Sequence, residues 1–304
     1  MREVTQQQRP KKQDVHGWVI LDKPVGMTST YAVSVVKRAF RAKKAGHAGT
    51  LDPLASGVLP IALGEATKTV PFIVDGQKMY RFTIRWGSQT NTDDMEGQVI
   101  AQSEQRPDRV AVEALLPQFT GSIEQIPPQF SAIKIKGERA YDLARGGEQI
   151  ELQPRLVEID SICLLEHTGD ESVLSVECGK GTYIRAIARD MGRLLGCYGH
   201  VTALRRVVVR PFCEDQAVQV SSLETDPYTV LQSVEAALAG LPHVIVSQDQ
   251  AQRLMQGQST ILRGHDAPDS GTVYATSRGR IIAIGDVVNG ELHPNRVFNL
   301  SGIP

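Results

Sequence analysis

The chain has 304 residues, 41% hydrophobic and 22% charged, close to the averages of soluble globular proteins, which excludes disorder and a membrane fold. Its length calls for one large domain with a small one, or two of similar size. A formal net charge of -1 speaks neither for nor against nucleic acid, because a phosphate-binding surface is a local feature.

No apolar run approaches the ~20 residues that span a bilayer, and the start, "MREVTQQQRPKKQD", has basic residues with no apolar segment behind them, so a cytoplasmic protein is expected. Cys163, Cys178, Cys197 and Cys213 are widely spaced with no C-x-x-C pair, and Cys163 and Cys178 sit in apolar runs. They read as reduced core residues, not as a disulfide framework or a zinc site.

In chain order, a polar tail (1–16) is followed by "GWVILDKPVGMTST", a short strand running into a Pro-Gly loop. "STYAVSVVKRAF" places Val33, Val36 and Phe40 at helical spacing behind Ser29 or Thr30 as N-cap. "AGHAGTLDPLASG" then packs three glycines, His47 and the Asp52-Pro53 step into thirteen residues with no periodicity. "VLPIAL" is a short buried strand, and "GEATKTVPFIVDG" a short helix ending near Asp75. "KMYRFTIRWG" alternates with a period of two and is a strand, followed by the loop "SQTNTDDMEG". A helix is expected in "RPDRVAVEALLPQFTG". Next comes a proline-opened excursion with a strand, "SAIKIKG", and a short helix, "ERAYDLARGG". "LVEIDSICLLEH" and "ESVLSVECG" are strands that could pair.

From Tyr183 to Leu195 the apolar residues fall on one helix face and Arg185, Arg189 and Arg193 on the other, predicting three guanidinium groups on an open surface. "HVTALRRVVVRPF" is a strand, and "LETDPYTVLQSVEAALAGLP" reads as a helix that breaks at Gly-Leu-Pro. "GTVYATSRGRIIAIGDVVNG" has closely spaced strands that mark a small β domain, with a boundary near Gly240 to Pro242. Charge is polarised: Tyr31 to Thr50 holds five basic residues and no acidic one, and Gly179 to Arg210 holds seven against Asp190 alone.

The G-x-S-x-G and H-E-x-x-H signatures and a complete G-x-G-x-x-G are absent, and "CGKGTYI" lacks the glycine spacing and Lys-Ser/Thr order of a phosphate loop. What remains is Asp52. An Asp-Pro step alone is usually a turn. This one adjoins a basic helix, and a second basic element could bring an arginine to the carboxylate, which would hold it ionised as nucleophile or base.

"GHAGTLDPLASGVLPIALGEATK" resembles the catalytic motif of the tRNA pseudouridine synthase B (TruB) family. "GWVILDKPVGMTS", "KMYRFTIRWGSQTNTDDMEG", "IPPQFSAIKIKGERAYDLARGG", "GTYIRAIARDMG" and "TALRR" follow in the family's order, so the likeness covers about Gly17 to Pro211. Ala48 stands where family members commonly carry threonine, a change that touches loop shape only.

The resemblance implies an α+β fold, a mixed, largely antiparallel sheet flanked by helices, with a small C-terminal β-rich PUA-like domain. It divides the chain into the tail (1–16), a catalytic domain (17–240) with an RNA-gripping insertion at about 126–147, and the small domain (241–304). It implies isomerisation of the T-loop uridine at tRNA position 55, with no cofactor and no metal. Asp52 is the implied essential aspartate, acting on the ribose of a flipped-out nucleotide either by attack at C1' or by removal of the 2' proton. Tyr80 is the active-site tyrosine and Arg185 the arginine that pairs with the aspartate. Tyr183 and Leu204 line the pocket, and His47 helps to expose the nucleotide. The tRNA T-arm is the expected partner of a monomeric protein. A competing reading keeps the T-arm as ligand but makes RNA folding, not modification, the main work; a third keeps the chemistry and changes the RNA.

Overall fold

In the computed structural model the described residues are 11–131, 134–135, 138–139, 152–262 and 268–300. The strands are β1 (Gly17–Lys23), β2 (Ala45–His47), β3 (Ser56–Leu63), β4 (Lys78–Trp86), β5 (Ser88–Thr90), β6 (Val99–Gln102), β7 (Gly121–Gln125), β8 (Lys134–Ile135), β9 (Glu138–Arg139), β10 (Arg155–His167), β11 (Glu171–Cys178), β12 (Gly199–Val209) and β13 (Phe212–Cys213). The helices among them are α1 (Ser29–Ala39), α2 (Val70–Asp75), α3 (Arg109–Leu115) and α4 (Ile184–Leu194). A second unit holds β14 (His243–Ile245), helix α5 (Gln248–Met255), β15 (Thr260–Ile261), β16 (Ser270–Ser277), β17 (Arg280–Val288) and β18 (Glu291–Val297).

The main sheet runs β1-β3-β12-β4-β11-β10-β7, with β13 beside β12 and β2 beside β3. Its ladders are antiparallel except β3 to β12, which is parallel at Arg205↔Ser56 and Arg206↔Gly57. The smaller sheet runs β14-β16-β17-β18-β15. This is the mixed α+β architecture that the family resemblance implies, with a β-rich C-terminal part.

β1 is an unbroken apolar run because both of its faces are covered. Val19 and Leu21 enter the core under α1 and α4, together with Val36, Phe82, Ile84 and Ile187. Trp18 and Ile20 point the other way and share a second core with Val58, Phe212, Ile281, Ile284 and Phe298. The C-terminal sheet therefore packs on the back of the main sheet. Lys68 Nζ donates to the Val297 carbonyl at 2.7 Å, and Asn299 N–H donates to Glu65 Oε2 at 2.8 Å.

Several expectations change. The N-cap of α1 is Thr28, whose hydroxyl accepts from Tyr31 N–H; Ser29 lies inside the helix and bonds elsewhere. Residues 220–238 form three short 3-10 turns (Val220–Leu223, Pro227–Val230, Val234–Leu238) in place of one helix. Pro227 removes an amide donor, and Gln232 exchanges backbone hydrogen bonds with Trp18 at 2.8 Å each way. Cys163 is exposed, because strand alternation turns it away from Ile162, whereas Cys178 and Cys197 are buried. The end of the polar tail is docked: Val15 and His16 are buried, and Lys43 pairs with Asp14 at 2.6 Å. Most of the expected insertion at 126–147, and all but Glu138 and Arg139 of its short helix, lie outside the described residues; those two form a strand paired with Lys134 and Ile135.

Gly57 marks the parallel junction. With φ at +102°, a Cβ there would lie 2.2 Å from the Arg206 carbonyl oxygen. Gly121 shares the left-handed backbone (φ +88°) but opens onto free space. Gly57→Ala is expected to lower stability by about 3 kcal/mol or more, a fall of roughly 6–12 °C in Tm. Gly121→Ala loses only the backbone term, roughly 1–2 kcal/mol. Thermal melts of the two variants check this; equal losses would remove the steric argument.

Candidate active site

The loop between β2 and β3 carries Asp52, and its shape comes from side chains far away in sequence. Ser29 Oγ donates to the Leu51 carbonyl and accepts the Leu51 N–H, both at 2.9 Å. Arg206, buried on β12, sends Nε to the Val58 carbonyl at 2.8 Å, Nη1 to Thr50 at 3.3 Å and Nη2 to Gly49 at 3.2 Å. Lys23, fully buried at the end of β1, donates to the carbonyls of Pro24, Met27 and Pro53. Burial lowers this lysine to about 8, against the opposing charge of Asp52. Each of these cations solvates backbone oxygens that the irregular loop leaves without a ladder partner.

Asp52 Oδ2 meets Arg185 Nε at 3.0 Å; the arginine side chain is 7% exposed and the aspartate 38%. Arg185 is held on all sides, with Nη1 donating to the Thr92 carbonyl at 2.9 Å and standing 3.4 Å from Asp94 Oδ2, and Nη2 donating to the Phe130 carbonyl at 3.0 Å. Asp94 is fixed in turn by the Thr92 hydroxyl at 2.5 Å and the Glu96 N–H at 3.0 Å. The start of α4 is set by Gln125, whose side chain bonds both the N–H and the carbonyl of Tyr183, at 2.8 and 3.1 Å.

A pocket of about 270 Å³ opens over this ion pair, lined by Asp52, Tyr80, Tyr183, Arg185 and Leu204 together with Lys78, Lys180 and Arg206. It lies near the low end of ligand-site volumes. Tyr80 faces Arg206 across the β4 to β12 ladder. Burial pushes its phenol above the usual range, a hydrogen bond with Arg206 working against the shift. Tyr183 is raised likewise by burial. Lys78 is buried in the pocket wall, and its ammonium is capped by the carbonyls of Ile73, Val74 and Gly76 at the end of α2. Burial lowers it to about 8, with Arg206 adding to the effect.

Five of the six residues singled out from the sequence thus converge on one pocket. His47 does not line it. The histidine stands on β2, its Nδ1 enclosed without a hydrogen-bond partner among the described residues, and burial followed by the Arg206 charge lowers its pKa. Residues that sequence reading missed are Ser29, Lys23, Lys78, Asp94, Gln125 and Arg206. Lys23, Ser29, Lys78, Asp94 and Arg206 lie inside the stretches that carry the family resemblance, which is the signal for them; Gln125 lies outside those stretches.

The open face predicted for α4 is a correction. Arg189 is buried, with Nη1 3.2 Å from Asp93 Oδ2, Nε 2.8 Å from Asp190 Oδ1, and Nη2 donating to the Ile126 carbonyl at 2.7 Å. Both helix faces are covered, one by the apolar core and the other by the loop after β5. Arg193 alone of the three is exposed.

The fold, a mixed sheet with the aspartate loop beside the β3 to β12 junction and an arginine from a later helix, is shared with solved structures. Among solved structures, it superposes on a chain of "Structure of H/ACA RNP bound to a substrate RNA containing 2'-deoxyuridine" with a TM-score of 0.71, at 22% identity over 95% of this chain and 87% of that one. For "Crystal Structure of a Cbf5-Nop10-Gar1 Complex" the TM-score is 0.69, at 24% identity over 93% and 84%. Residues 37–184 match the family model "TruB family pseudouridylate synthase (N terminal domain)", and residues 185–250 match "tRNA pseudouridylate synthase B C-terminal domain". The chain belongs to the TruB family of pseudouridylate synthases. It is 59% identical to the tRNA pseudouridine synthase B of Rhodopseudomonas palustris over 97% of this chain and 84% of the relative. Identity to the protein of the same name from Nitrobacter winogradskyi is 60%, over 98% and 86%.

The two arginines of α4 beyond Arg185 should respond differently to truncation. Arg189→Ala leaves Asp93 buried without its partner and is expected to destabilise the fold by about 3–5 kcal/mol. Arg193→Ala is expected to stay within about 0.5 kcal/mol of the parent. Urea unfolding distinguishes them; an Arg189→Ala protein as stable as the parent would show that the pair does not hold the loop to the helix.

Proposed function

We propose that this chain isomerises a uridine in the T-loop of tRNA, at position 55, to pseudouridine. The observation that carries this reading is the Asp52 to Arg185 pair at 3.0 Å in the lining of a pocket of about 270 Å³ that Tyr80 also lines. It is supported by family membership and by relatives of 50–60% identity that bear the name tRNA pseudouridine synthase B.

A T-loop uridine is stacked, and reaching its glycosidic bond means extruding it at a cost of a few kcal/mol. Tyr80 offers a stacking face worth ~1–3 kcal/mol. It meets the base as a neutral phenol, since burial disfavours the phenolate. Arg185 holds one carboxylate oxygen of Asp52 and, being nearly immobile, sets the direction from which the aspartate approaches the ribose. Asp52 acts there as nucleophile at C1' or as base at the 2' position. The C1'–N1 bond breaks, the base turns, and C5 bonds to C1' as the Asp52 carboxylate leaves C1' or, in the other route, as the 2' proton is returned; the C5 proton is lost and N1 gains one. Atoms and electrons balance within the nucleoside, so the reaction needs no oxidant or reductant. Leu204 and Tyr183 close the sides of the pocket, and His47, outside it, acts on the RNA flanking the target. The protein works as a cytoplasmic monomer on the T-arm, with the last residues from about 241 forming a PUA-like domain and the 126–147 insertion gripping the RNA.

Asp52→Asn is expected to abolish turnover and to change affinity for a T-arm hairpin by less than about tenfold, because phosphate contacts remain. Retention of more than a few per cent of the parent single-turnover rate would take Asp52 out of the mechanism. With EDTA added, activity on a prefolded hairpin should be unchanged; loss that zinc alone restores would overturn a metal-free reaction.

A further inference from the structure

Four cationic side chains line the pocket: Lys78, Lys180, Arg185 and Arg206. Three are committed to the protein itself. Arg206 and Lys78 each cap three backbone carbonyls, and Arg185 is shared between Asp52, Asp94 and two carbonyls. None of these can turn to an incoming anion without stripping a buried acceptor of its donor.

Lys180 differs. It lies in the loop from β11 to α4 between Gly179 and Gly181, the latter at φ +83°. Its ammonium meets Asp75 Oδ1, at the end of α2, at 2.7 Å. The two side chains are 66% and 60% exposed, so their attraction is weak and open to exchange. α2, through Val74, and the Gly179–Thr182 loop both line the pocket, and the Lys180–Asp75 pair joins them.

A nucleotide that puts its base and ribose into this pocket leaves its two flanking phosphates at the mouth. We infer that Lys180 binds a backbone phosphate of the extruded nucleotide, and that Asp75 occupies the lysine in the free protein as a stand-in for that phosphate. The inference rests on the reading of the site as a uridine isomerase. Binding exchanges one carboxylate for one phosphate on the same ammonium, and Asp75 is released to water. Asp75 thereby competes with the incoming phosphate for the ammonium and lowers affinity for an RNA that brings one there.

The test is a double-mutant cycle on affinity for a T-arm hairpin, measured by fluorescence anisotropy across a salt series in an Asp52→Asn background that prevents turnover. Asp75→Asn is expected to tighten binding about two- to fivefold at low salt. Lys180→Ala is expected to weaken it by a similar factor and to reduce the slope of log affinity against log salt by about 0.7–0.9. In the presence of Lys180→Ala, Asp75→Asn should have no effect. Equal tightening with and without Lys180 would mean that Asp75 merely repels RNA, and would overturn the exchange. An unchanged slope in Lys180→Ala would overturn the phosphate contact. Pseudouridine formation by the unmodified protein on the same hairpin is followed in parallel. If none forms, the reading of the site falls and this inference with it; if it forms while the cycle shows no coupling, the exchange alone is wrong.

Discussion

Everything at the site hangs on the buried guanidinium of Arg185. A charge with a 7% exposed side chain is tolerable only where partners replace its hydration, and each partner comes from a different part of the chain: Asp52 from the loop before β3, Thr92 and Asp94 from the loop after β5, and Phe130 from the segment after β7. Hydrogen bonds of this kind are strong and directional. One arginine thus defines where three otherwise irregular segments stop, and the position of Asp52 is a by-product of satisfying it. Arg189 repeats the arrangement one turn on, joining Asp93 to Ile126.

The parallel ladder between β3 and β12 is the second constraint. An otherwise antiparallel sheet with one parallel junction brings Arg206 beside Gly57, directly under the aspartate loop. Gly57 is needed because backbone meets backbone there. Arg206 then reaches three carbonyls that a loop of glycines and Asp-Pro cannot satisfy by itself. Loop and strand are mutually dependent: the loop's shape uses up the arginine, and the arginine's burial is tolerable because of the loop.

Much of the sheet is readable from local pattern. The period of two in β4, β16 and β17, and the apolar runs of β1 and β3, identify these strands, because alternation and burial are properties of a few adjacent residues. Asp52, Tyr80 and Arg185 are readable from motif order. Arg206, Lys23 and Ser29 fall inside matched stretches too, but their task of holding backbone groups of the Gly49–Pro53 loop is not readable there, because a partner distant in sequence leaves no local trace. A helical wheel showed Arg189 as solvated for the same reason: it displays one face of α4 and cannot display the carboxylates that the Asn91–Gly97 loop lays on it. The region from 220 to 238 misled differently, its helical composition being overruled by proline and by backbone pairing with β1.

The shared core of Trp18, Ile20, Val58, Ile281, Ile284 and Phe298 has a consequence for the order of synthesis. β1 and β3 are made early, but part of what covers their back, Ile281, Ile284 and Phe298, comes last. At roughly 5–20 residues per second, the ~60 residues after Gly240 take about 3–12 s to emerge. Throughout that interval the part of this apolar face that Ile281, Ile284 and Phe298 cover stays open to the cell. The newborn chain is then at its most vulnerable to aggregation, and most in need of a chaperone or of rapid completion.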